Sequence, residues 1–188
     1  MCHALLSDPK FFQLLLIIDQ ELADQAHAAG CPCGGVLHRA NYPRKPRACP
    51  AEVRAEFEFR FSYCCARCRC RTTSRSVRFL GRRVYLAWAV VLASVRPLGQ
   101  VTTATRLAAE WAIPMRTLQR WHQWWQRQFP LTPLWQADAA RFMPPPAAEL
   151  FPASLLERFT GQADEALRRF LIFLSSITVR PVPLNEGR

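Results

Sequence analysis

An α+β chain is expected here: a small cysteine-bearing β module between an N-terminal helix and a mainly helical C-terminal half. Three observations lead to it. Phe11, Phe12, Leu15, Ile18, Leu22 and Ala26 recur at helical spacing, as do Leu167, Phe170, Leu171 and Leu174 near the other end. Residues 57–65 instead alternate with period two: Phe57, Phe59, Phe61, Tyr63 and Cys65 fall on one face, with Glu58, Arg60, Ser62 and Cys64 on the other, which is a strand pattern. Short cysteine turns stand on either side of that strand, Cys31-Pro32-Cys33-Gly34-Gly35 before it and Cys64-Cys65-Ala66-Arg67-Cys68-Arg69-Cys70 at its end.

The first helix begins at Ser7-Asp8-Pro9, a capping side chain followed by proline where the missing N–H costs nothing. Gly30 is placed to end it, and its acidic residues are expected on the face away from the apolar stripe. Val36 to Arg39 reads as a short strand leaving the first cysteine turn. Asn41 to Arg47 is a proline-punctuated basic loop whose extended form suits Arg44, Lys45 and Arg47 to a phosphate backbone. Arg71 to Phe79 reads as a return strand, with Arg71, Arg75 and Arg78 alternating with hydroxyls, and Gly81-Arg82-Arg83 ends it. Val84 to Val95 is a nearly all-apolar helix, expected at the buried centre of the second half. Met143-Pro144-Pro145-Pro146 reads as a linker, followed by helices near 152–159 and 164–175 and a loose tail from Arg180. The stretches divide as 1–30, 31–83, 84–142 and 143–188.

The cysteine turns outline a zinc ribbon, because a structural zinc takes four S or N ligands in a tetrahedron and each turn supplies two. Cys31 and Cys33 are the candidates at the first turn, with Gly34 and Gly35 letting the backbone curl round a metal. Cys65 and Cys68 have C-x2-C spacing at the second, and Cys65 has the right strand parity. Cys64 and Cys70 are reserves, Cys49 stands alone, and His38 is a further candidate. One structural zinc is expected, since four thiolates leave no open position for water. A redox C-x-x-C would call for a βαβ setting that the pattern lacks.

Charge sharpens the reading. The chain of 188 residues has a net charge of +11. Residues 31–83 carry thirteen Arg and Lys against Glu52, Glu56 and Glu58, whereas residues 1–30 are net acidic. A basic patch on a zinc module is an electrostatic footprint for phosphate. With 23 Arg and 2 Lys, the choice of Arg can reflect genome composition, but the concentration in one stretch does not follow from it.

Thr102 to Phe129 suggests a helix-turn-helix. A first helix holds Leu107 to Trp111, Ala112-Ile113-Pro114 turns, and a second helix runs from Pro114. Ala109, Ile113 and Leu118 would pack between the two, with Ala112 where a tight turn often has glycine. The second helix offers Arg116, Gln119, Arg120 and Gln123 on one face, side chains suited to bidentate contacts with guanine and adenine edges. Trp121, Trp124 and Trp125 continue it, and three tryptophans in five residues cannot all face one core.

CPCGG, HRANYPRKPRACP, FSYCCARCRCRTTSRSVRFLGRRVYLAWAVVLAS and LQRWHQWW together resemble a family of short bacterial zinc-ribbon plus helix-turn-helix proteins associated with insertion sequences and transposase genes. The likeness spans about Phe11 to Val179. It implies a DNA-binding or accessory role in a mobile element, with Cys31, Cys33, Cys65 and Cys68 in the metal places.

No catalytic constellation stands out. The carboxylates are scattered without the three needed to hold a metal pair on a mixed sheet, no histidine is spaced to assist Tyr85 beside Arg82-Arg83, and no phosphate loop or nucleophile elbow occurs. The expectation is therefore a non-enzymatic protein that binds duplex DNA, with a transposase or a second copy of the chain as possible partners. The alternatives are an RNA-binding zinc ribbon and an adaptor tethering a separately encoded transposase. No secretory signal or membrane span is expected, because the apolar runs are short and the first leads into Asp19 and Glu21. The expected location is the cytoplasm, where thiols serve as metal ligands rather than disulfides.

Overall fold

Asp8 starts the first helix: its side chain accepts the Lys10 backbone N–H at 2.9 Å, and Pro9 occupies the first turn. The computed structural model describes residues 8–80, 85–95 and 111–179. Helix α1 (Pro9–Ala28) is followed by Gly30 with φ +71°, the left-handed conformation that glycine adopts freely. Strands β1 (Leu37–Arg39), β4 (Ser62–Cys65) and β5 (Arg71–Thr73) form an antiparallel sheet in the order β1-β4-β5, with Leu37 opposite Cys65 and Cys64 opposite Arg71. A second antiparallel pair joins β2 (Tyr42–Pro43) to β3 (Phe59–Arg60). Between these strands lie a 3-10 turn (Ala51–Val53) and helix α2 (Arg54–Phe57).

The helical half comprises α3 (Ala87–Ser94), α4 (Met115–Gln123), α5 (Pro133–Asp138), α6 (Ala153–Leu156) and α7 (Ala163–Leu174), with a 3-10 turn over Ser175–Thr178. The α+β reading therefore holds among the described residues. Helix α3 is buried along almost its whole length, as its unbroken apolar sequence requires. It shares one core with Phe12 of α1, Phe57 of α2, Trp121 of α4 and Phe170 of α7, a cluster that draws on all four stretches of the chain. A smaller cluster of Ala23, Leu37, Phe61, Tyr63 and Cys65 joins α1 to the three-stranded sheet.

Four expectations need correcting. The alternating run is not one strand: Phe57 ends α2, and the extended chain is interrupted at Phe61. Arg60, expected on the outer face, is buried because its guanidinium donates inward to the carbonyls of Ser74 (2.9 Å) and Thr178 (2.8 Å). The return strand stops at Thr73, after which the chain dives inward and buries Ser74, Ser76, Val77 and Arg78. Asp19 belongs to the buried side of α1, not its polar side. Its carboxylate accepts the Ser76 hydroxyl (2.7 Å), the Val77 backbone N–H (2.6 Å) and Arg78 Nε (2.7 Å), so the charge is fully met inside the protein.

The tryptophan run meets the core in an irregular way. The segment Trp124–Gln128 is a π-helical turn, and Trp121 and Trp125, four apart on one face, enter the core while Trp124 stays half-buried. Of the expected first helix of the helix-turn-helix, all but Trp111, which stands in a turn, lies outside the described residues, as do Gly81-Arg82-Arg83 and the tail from Arg180.

Candidate metal centre and nucleic-acid interface

The two cysteine turns meet. The Sγ atoms of Cys31, Cys33, Cys65 and Cys68 all lie within 4.8 Å of one another. Cys31 and Cys33 are separated by 3.4 Å, Cys33 and Cys65 by 3.5 Å, and Cys31 and Cys68 by 3.5 Å. A tetrahedron with metal–sulfur bonds of about 2.3 Å has sulfur–sulfur edges of about 3.8 Å, so the four thiols are already near the required spacing.

Local backbone chemistry sets this geometry. The first turn closes by the Gly34 N–H donating to the Cys31 carbonyl at 2.8 Å, with Gly34 at φ +73°. Gly35 passes so close to the centre that an added Cβ would lie 2.6 Å from Cys65 Sγ and 2.7 Å from Arg67 Cβ. The second turn closes by the Cys65 N–H donating to the Cys70 carbonyl (3.0 Å) and the Arg69 N–H to the Cys65 carbonyl (3.1 Å). Across the gap, Ala66 N–H bonds the Val36 carbonyl (2.9 Å) and Arg67 donates to the Cys33 carbonyl (3.0 Å). The four cysteines thus can hold a metal ion such as zinc.

The thiols are not equivalent. The backbone N–H of Cys68, helped by that of Arg67 and by the neighbouring thiols of Cys33 and Cys31, holds Cys65 down to about 6 against the effect of burial. The backbone N–H of Cys33 acts in the same sense on Cys31, but the surrounding thiols and burial outweigh it and push Cys31 up to about 12. Cys64 turns to the Arg69 carbonyl at 3.6 Å and, like Cys70, is not one of the four clustered thiols. Burial raises Cys49 to about 11.

The basic residues divide into three sets. Arg44, Arg71 and Arg75 come together with Arg60 around a groove of about 1020 Å³ between β2, β5, the second half of α1 and the end of the Ser175–Thr178 turn. Among the described residues lining it there is no carboxylate. Burial lowers Arg44, and burial first and Arg44 second bring Arg60 down to about 10. Lys45 is exposed beside this groove, while Arg47 leaves it to lie against the Tyr85 ring, 5.7 Å from its centroid.

Arg78 is the clearest departure from expectation. Expected on a phosphate-contacting strand, it is 0 % exposed. Besides its ion pair with Asp19, it donates to the carbonyls of Glu56 (2.7 Å) and Phe59 (3.3 Å), and its guanidinium sits over the rings of Phe57, Phe59, Phe61 and Phe79. It is an internal support, unreachable by a phosphate.

Arg116, Gln119, Arg120 and Gln123 form the third set, on the exposed side of α4, opposite buried Thr117, Leu118 and Trp121. Ala112 in the turn before α4 has φ +49°, the conformation a glycine would take there. Gln119 and Gln123 also border a second cavity of about 740 Å³ with Glu149, Glu157 and His122, whose buried ring is held below its ordinary pKa. That acidic edge does not suit a phosphate, so the cationic part of this exposed side of α4 reduces to Arg116 and Arg120.

Sequence reasoning missed Arg60 and Tyr42 as part of the basic groove. Alternation pointed Arg60 outward, and only the long-range bonds to Ser74 and Thr178 reverse it. Tyr42 carried a detectable signal, an aromatic beside a basic run, and Arg71 now lies over its ring at 4.2 Å. No helix among the described residues is long and apolar enough to cross a membrane. No protein-family model matches the chain, and no curated protein or solved structure is similar to it.

Proposed function

We propose that this chain is a zinc-ribbon nucleic-acid-binding protein whose ligand is duplex DNA, with the accessory role in a mobile element that its resemblance implies. The observation that carries the reading is the gathering of Arg44, Arg60, Arg71 and Arg75 around one groove, free of described carboxylates, on the module that bears the four thiols. One zinc ion held by Cys31, Cys33, Cys65 and Cys68 would be structural, tying the two turns together and fixing the sheet that carries Arg71. The exposed arginines then supply phosphate affinity that tolerates sequence, and Arg116 and Arg120 of α4 supply base contacts. The turn at Ala112 supports a helix-turn-helix arrangement for α4.

The test is a fluorescence-anisotropy titration of the zinc-loaded protein with duplex DNA, single-stranded DNA and RNA of equal length at 50 and 200 mM salt. If Arg44, Lys45, Arg71 and Arg75 each meet a phosphate, duplex affinity falls by about 10² between the two conditions. A flat salt response or the absence of binding at 50 mM would sink the reading and leave the transposase adaptor as its successor.

A further inference from the structure

The groove has a shape that the duplex reading does not use. It is a concavity of about 1020 Å³ with buried Arg60 at its floor and Arg44 on its wall, and exposed Arg71 and Arg75 on its rim. A concavity of this volume has room for part of a single sugar–phosphate chain with its bases. At the mouth stands Tyr42, 42 % exposed, with the Arg71 guanidinium over its ring. The lining also includes the apolar side chains of Leu22, Ala26 and Ile177. Cationic and apolar groups therefore line one cleft, the combination by which proteins hold unpaired strands.

We propose that this groove seats a short single-stranded segment continuous with the bound duplex, its phosphates on Arg71 and Arg75 and a base stacked at Tyr42. The ligand class is thus duplex with an unpaired tail, rather than blunt duplex. This rests on the nucleic-acid reading above and adds to it one separable contact, the base stacked at Tyr42. Arg75 is the cleanest probe, being exposed and without a hydrogen bond or ion pair among the described residues. Tyr42 reports stacking, and its ring can be removed without opening the core.

The experiment compares the zinc-loaded full chain on a blunt duplex and on the same duplex carrying a five-nucleotide tail, by anisotropy at 100 mM salt. The tailed duplex is expected to bind about tenfold more tightly, the size of one good base–aromatic stack. Tyr42→Ala should remove most of that gain while leaving blunt-duplex affinity within about twofold, and Arg75→Gln should flatten the salt dependence of the tailed complex by about one phosphate. Equal affinity for the two probes, or a Tyr42→Ala loss that is the same on both, overturns the groove proposal while the duplex reading stands. Failure to bind either probe overturns the duplex reading itself.

Discussion

Two arginines three residues apart, Arg75 and Arg78, have opposite fates, and the difference is not written in their immediate neighbours. Arg75 meets solvent, whereas Arg78 is enclosed by Asp19, two carbonyls and four aromatic rings. Removing one member of a buried pair leaves the other charged and unmatched, at a cost of about 3–5 kcal/mol, far more than an exposed arginine is worth. Arg78→Leu is therefore expected to lower stability by that amount in urea unfolding, and Asp19→Leu/Arg78→Leu to recover part of it. Arg75→Gln should leave the unfolding midpoint within about 0.5 kcal/mol of the parent. From the sequence alone, Asp19 looked like one acid among several on α1, and its partner was 59 residues away. Hydrophobic spacing locates a helix face but does not say which polar residue that face can absorb.

At the scale of the element, the first cysteine turn was the most legible part of the chain. Two cysteines followed by two glycines announced a tight curl, and the two glycines prove to serve different needs. Gly34 has the left-handed conformation with open space beside it, so Gly34→Ala costs about 1–2 kcal/mol of backbone strain. Gly35 has no room: a methyl there would press on Cys65 Sγ and the Arg67 side chain. Gly35→Ala is expected to weaken metal retention at least tenfold against a chelating indicator dye, with Gly34→Ala losing less. Equal retention by both variants would show that the crowding at Gly35 is relieved by a shift of the chain. The strands were less legible than the turn. Alternation from Phe57 to Cys65 counted the aromatic positions well, yet Phe57 became helical and Arg60 turned inward, because bonds to Ser74 and Thr178 outweighed strand parity.

For the molecule as a whole, the cysteine module and the helical half are joined by α1, which serves both cores. Phe12 and Leu15 enter the larger one, while Ala23 enters the smaller and its carbonyl accepts the Tyr63 hydroxyl at 3.0 Å. His27 Nε2 lies 3.1 Å from the Leu37 carbonyl and extends the same seam. Metal binding should consequently stabilise more than the turns that hold the ion. With zinc at about a thousand times its dissociation constant, linkage adds about 4 kcal/mol, and stripping the ion should lower the unfolding transition of the whole chain accordingly. A helical signal that melts at the same temperature with and without metal would mean that the two cores unfold independently. The sequence conveyed the order of these parts but not their union, since the residues that bind them together are ordinary serines, threonines and carbonyls.

The Ser175–Thr178 turn closes the inner side of the cysteine module: Thr178 receives Arg60 on its carbonyl and Ser76 N–H on its hydroxyl. Arg60 and Thr178 are 118 residues apart. During synthesis the module's cysteine turns emerge first, but its inner wall is missing until Thr178 has left the ribosome. At translation rates of about 5–20 residues per second, that leaves an interval of roughly 6–24 seconds in which the Arg60 guanidinium lacks its distant acceptor. A nascent chain stalled before Thr178 would carry the cysteine turns without their native backing, so completion of the module waits on a residue 118 positions downstream of Arg60.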